Sequence, residues 1–170
     1  QAALYADIDV DLVSIDGGSK HNAIPRECFA VCRLDKGAID GFREIADACA
    51  ADFREEFTAT DPGLSVDVEE MDDDDATRQV FNVHARDRLL RLLDALPHGV
   101  QTMSRDVPGL VETSTNLAVV ETKEDGLEFV TSHRSSVMPA LFALRRSVTS
   151  NFRQAGASVS YDEHYPGWQP

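Results

Sequence analysis

The chain has 170 residues, 42% of them hydrophobic, enough for a real core in one domain of ordinary size or two very small ones. Its 30 acidic and 16 basic residues leave a formal charge of -14, so nucleic acids and anionic membrane surfaces are poor partners, because phosphate binding draws on clustered Lys and Arg. No apolar run approaches the ~20 residues that span a bilayer, and the opening "QAALYADIDV" lacks the basic start and apolar centre of a signal peptide.

"QAALYA" reads as the tail of a helix, and alternating Ile8, Val10 and Leu12 begin a strand that changes phase near Val13 and runs into Gly17 and Gly18. A polar turn closes at Pro25, where Ile24 looks buried. From Arg26 to Leu34 β-prone residues fill nearly every position, as in a strand covered on at least one face. Ile39, Phe42, Ile45, Ala46, Cys49, Phe53 and Phe57 then recur near 3.6-residue spacing, which predicts an amphipathic helix ended by Pro62 and Gly63. Leu64, Val66 and Val68 alternate as a further strand. The acids Asp72 to Asp75 lack the glycine and terminal Glu of a calcium loop and read as a solvated lead into a helix from about Thr77 to Leu96.

Beyond Gly109, two strands are joined at "KEDG", with Asp125-Gly126 as the hairpin signal. Ser136 caps a helix carrying Leu141, Leu144, Val148 and Phe152, with Pro139 in its first turn and Gly156 as its stop. "ASVSYDE" predicts a last strand. The order, β, β, α, β followed by α, β, β, α, β, predicts an α+β fold of two ferredoxin-like halves, about 1–75 and 76–170. It has an antiparallel sheet with helices packed on one face, and the first half is truncated at its N-terminus.

Three cysteines, Cys28, Cys32 and Cys49, have no paired CxxC spacing and read as reduced core residues, which favours the cytoplasm. Five scattered histidines and the absence of a phosphate loop, a nucleophile elbow or an H-E-x-x-H helix argue against a self-sufficient hydrolase. Two polar groupings stand out. Lys20, His21, Asn22 and Arg26 surround the glycine-led turn, where Asn22 could serve only to tolerate a left-handed backbone. In "TSHRSS", His133 and Arg134 end a strand before a helix N-terminus, a setting suited to an anion.

Four blocks in order, "GGSKHNAIPRE", "GLVETSTNLAVV", "HRSS" and "YPGWQP", resemble the aminoacyl-histidine (Xaa-His) dipeptidases, cytoplasmic di-zinc metallopeptidases of the carnosinase group. The resemblance implies a lid and dimerisation domain inserted in a zinc-bearing catalytic domain. Both zinc ions, their ligands, the general-base Glu and the lid's "GGHSG" motif would then lie in segments absent from this chain, which would be inactive alone. It further implies that Asn22 binds the dipeptide substrate, with His21 beside it, and that the parent is a homodimer. Relatives often place a carboxylate-holding Arg one strand after the Asn; Arg33 stands near that place but out of register, so Arg134 is taken as the clamp. His133, with opposite strand parity, would face away from the same cleft. The alternative is a non-catalytic amino-acid-sensing module of two ferredoxin-like halves, and a third reading is a dimer scaffold whose Asn22 and Arg134 never meet substrate.

Overall fold

In the computed structural model, which describes residues 1–71 and 79–162, the fold is α+β with a five-stranded antiparallel sheet. The acidic run 72–75, the first residues of the predicted second long helix and "YPGWQP" lie outside the described residues. The helices are α1 (Ala2–Tyr5), α2 (Ile39–Phe57), α3 (Val83–Ala95) and α4 (Met138–Gln154). The strands are β1 (Asp11–Gly17), β2 (Cys28–Arg33), β3 (Gly99–Met103), β4 (Val111–Lys123) and β5 (Gly126–Ser135). Strand order is β2-β1-β4-β3, with β5 paired to β4. The chain forms two compact units, residues 1–13 with 31–82, and residues 14–30 with 83–170.

In the first unit, α2 occupies the predicted span, with Asp40 in its first turn and Arg54 in its last, each at the end of the helix dipole that favours its charge. Ala3, Val10, Leu12 and Ala50 are buried. Gly41 is a close-approach point, since a Cβ there would lie 3.3 Å from Ile8 Cδ1. The Phe81 N–H donates to Leu12 O at 2.8 Å. The stretch from Leu64 to Val68 is not a strand. Its alternation is present, but a period-two pattern supplies a face and not a ladder partner, and Ser65 Oγ turns to the Asp67 carboxylate at 3.0 Å instead. The expected cover over the second strand is also missing: β2 is an edge strand, and Cys28, Phe29 and Ala30 are exposed.

The second unit is built on the long β4–β5 hairpin, whose turn is Glu124-Asp125, with Gly126 already paired to Lys123 as the first residue of β5. A register shift between Leu117 and Val119 decides which side chains share a face. Thr115 opposes His133 and Val120 opposes Phe129; His133 and Phe129 are four apart and so on one face, which puts Thr115 and Val120 together despite their odd spacing. That face is covered by α4. Leu92, Val148 and Phe152 form the buried core, with Phe129 meeting Phe152 edge-on at 5.3 Å.

Helix α4 starts at Met138, with Val137 and not Ser136 at its N-cap; Ser135 Oγ accepts the Val137 N–H at 3.0 Å. It ends in a Schellman motif: the Ala157 N–H donates to Phe152 O at 2.9 Å, the Gly156 N–H donates to Arg153 O at 3.0 Å, and Gly156 has φ +84°. This closure explains why "ASVSYDE" forms no strand over its described residues. The chain runs back along α4, with Ala157 and Val159 against the core, Tyr161 Oη 2.7 Å from Thr149 Oγ1, and the Arg145 guanidinium 4.7 Å above the Tyr161 ring. Helix α3 starts later than its periodicity suggested, at Val83. Strand β3 was not legible at all, since Val100 and Met103, its apolar residues, are 55% and 46% exposed and β4's open backbone edge recruits it.

Candidate functional site

Glycine sets the position of the 18–25 loop. Gly18 has φ +71°, and a Cβ there would lie 2.0 Å from Ala118 O, so the loop leaves β1 hard against β4 in a way no other residue permits. The Gly18 N–H donates to Glu27 O at 3.3 Å and closes the loop's base. At its tip the Ala23 N–H donates to Lys20 O at 3.2 Å, making His21 and Asn22 the central residues of a turn. Both are exposed. Among the described residues Asp7 is the only non-glycine with positive φ, so Asn22 is not there to supply a left-handed backbone. Ile24 is 75% exposed, against the buried place its Pro25 neighbour suggested.

The loop meets β4 where that strand changes partners. On the edge away from β5, β1 pairs at Val120 and β3 pairs from Thr115 backwards, leaving the residues between without a strand opposite among the described residues. Side chains fill the gap. The Leu117 N–H donates to His98 Nδ1 at 3.2 Å, and Asn116 Nδ2 donates to Ala23 O at 2.7 Å. Asn116 Oδ1 is buried without a partner among the described residues.

His133 and Arg134 separate onto opposite faces of β5. His133 lies on the covered face, its Nδ1 2.8 Å from Thr115 Oγ1 and its Nε2 3.2 Å from Thr131 Oγ1. Burial, then the Arg145 charge, lowers its pKa below the ordinary value of 6.5, so the neutral ring is favoured. Arg134 opposes Ser114 on the other face, exposed and with no ion-pair partner among the described residues. Ser114 and Asn116 share that face, which places Arg134 and Asn116 diagonally across the ladder, about 7–8 Å apart at the backbone. The structure thus anchors the turn bearing His21 and Asn22 to the same strand face that presents Arg134. No hydrogen bond joins Asn22 to Arg134 among the described residues.

Sequence reasoning missed both residues: Asn116 stands in the block "GLVETSTNLAVV" but as a polar residue inside a strand was given no role, and His98 follows a helix stop. Such a face can bind an anion: a guanidinium able to fork onto a carboxylate, with amides nearby to orient it. No three His, Cys, Asp or Glu side chains lie together as a metal site among the described residues. The cysteines are not the core residues expected from the sequence, since Cys28 is exposed and Cys32 and Cys49 are half-buried; partial desolvation of the sulfur still raises the thiol pKa of Cys28 and Cys32, which keeps them protonated. No helix among the described residues is long and apolar enough to cross a membrane.

No protein-family model matches the chain. It is 29% identical over 164 residues to the curated cytosol non-specific dipeptidase of Escherichia coli (strain K12), a match covering 96% of this chain and 33% of that protein. The crystal structure of aminoacylhistidine dipeptidase from Vibrio alginolyticus superposes with a TM-score of 0.92 at 31% identity, covering 99% of this chain and 34% of that one. The chain therefore spans about a third of the length of the relatives it matches. Over nearly its whole length the chain is thus similar, in sequence and in fold, to about a third of each of these dipeptidases.

Proposed function

We propose that this chain is the substrate-gripping lid and dimerisation domain of a metal-dependent dipeptidase that hydrolyses Xaa-His dipeptides. The observation supporting this reading most is the match of 99% of the chain, at a TM-score of 0.92, to about a third of a named aminoacylhistidine dipeptidase. On this reading the Arg134 guanidinium forks onto the substrate's terminal carboxylate, and Asn22, with His21 beside it, hydrogen-bonds the bound dipeptide from the loop. Holding the substrate by its polar ends lowers the entropic part of the barrier, and closing over it excludes water. On this reading the two zinc ions are held by the parent's other segments, and this chain's part is binding and orientation of the substrate. The parent is a cytoplasmic homodimer, and the isolated chain is inactive.

The test is hydrolysis of Xaa-His dipeptides by the full-length parent, before and after chelation and zinc restoration, beside the isolated chain. Metal-dependent hydrolysis by the parent, with none from the chain alone, is expected. A zinc-loaded parent that leaves these dipeptides intact would overturn the assignment.

A further inference from the structure

We propose that Asn116 is a positioning residue that holds the Asn22 turn in place and acts on the substrate only through it; the proposal rests on the reading of Asn22 as a substrate-binding residue. Among the described residues, segment 18–25 has few hydrogen bonds outside itself: the Gly18 N–H to Glu27 O at its base, and Asn116 Nδ2 to Ala23 O beside its tip. The second, at 2.7 Å, fixes the carbonyl of the residue directly after Asn22. The acceptor is a backbone oxygen, so the side chain facing it must donate, and an amide on a short stem does so with little freedom to wander.

The neighbouring residues of β4 are held as well. The Leu117 N–H is taken by His98 Nδ1 and Ala118 O lies hard against Gly18, so of three successive residues Asn116 alone bonds the loop, Ala118 abuts its start and Leu117 is fixed from another segment. A second observation separates Asn116 from a packing residue: its Oδ1 is buried without a partner among the described residues. An orphaned acceptor is a cost that an apolar side chain would avoid, and one that makes sense where the donor half of the same amide is needed. Asn116→Asp is therefore the sharpest substitution, since it keeps the volume and turns an oxygen toward the Ala23 carbonyl.

The experiment uses the full-length parent with Asn116→Asp, Asn116→Ala, Asn22→Ala and each double variant, all checked for cooperative melting. Should Asn116→Ala fail to fold, Asn116→Asp is the variant read. Each Asn116 variant is expected to lower kcat/KM at least tenfold, mostly through KM, yet to add less than twofold on the Asn22→Ala background. Equal losses on both backgrounds, or no loss on the native one, would overturn the proposal. Hydrogen exchange of a peptide covering 18–25 is read in parallel and is expected to quicken at least tenfold in the Asn116 variants. If Asn22→Ala itself leaves hydrolysis unchanged, the functional reading fails and exchange alone decides for Asn116: unchanged exchange sinks it.

Discussion

The two faces of the β4–β5 hairpin draw on adjacent residues of the same strands and put them to opposite uses. On the covered face Thr113, Thr115 and Val120 are buried, Phe129 packs on Phe152, and both nitrogens of His133 meet threonine hydroxyls. On the other face, among the described residues, Arg134 is exposed without an ion-pair partner, and Asn116 uses half of its amide to hold a loop while the other half has no partner. Polarity alone therefore does not mark a site on a sheet. Thr115, His133 and Asn116 are all polar, and it is strand parity that assigns the first two to stability and the third to the loop.

The covered face is where a single substitution does most damage. Phe152→Ala removes the ring that meets Phe129 and Leu92 and is expected to cost about 3–5 kcal/mol in denaturant unfolding, the largest effect in the molecule. Gly18→Ala comes next. A Cβ 2.0 Å from Ala118 O cannot be accommodated without moving backbone, so a loss of about 1–3 kcal/mol is expected, along with reduced dipeptide hydrolysis by the parent. Gly37→Ala, where nothing lies within 4 Å, is its near-neutral control.

His133 makes the covered face sensitive to pH. Its folded pKa is depressed, so the unfolded chain binds the proton more readily. The resulting stability is complete above the ordinary value of 6.5 and is lost as pH falls from there toward the lower folded value. Unfolding measured across this range should show a loss of stability that disappears in His133→Gln. Arg134→Ala should be the smallest in stability, within about 0.5 kcal/mol, as expected of an exposed side chain. In the parent it should raise KM at least tenfold; an unchanged KM would remove Arg134 from the substrate's carboxylate.

Much of the fold was legible where a residue's role is local. The 3.6-residue spacing from Ile39 to Phe57 yields α2 over that span, and the alternation around "KEDG" yields the hairpin, its turn moved by one residue. The pattern misled where a strand needs a partner that sequence does not name. Leu64 to Val68 has the alternation and no ladder, while Gly99 to Met103 lacks the pattern and gains one from β4. The candidate site was half visible in the same sense. His21, Asn22 and Arg134 could be singled out from their blocks, whereas the parts played by Asn116, although it stands in such a block, and by His98 arise because β1 and β3 stop short of each other along β4.

By itself, the sequence determined the α+β class, the long helix, the hairpin, the glycine at 18 and the opposite facing of His133 and Arg134, because each follows from periodicity or from one residue's backbone freedom. Only the tertiary structure decided that the Asn22 turn is tied to the strand face bearing Arg134. The tie is one hydrogen bond between residues 93 positions apart, formed in a gap left by strands that meet from distant parts of the chain.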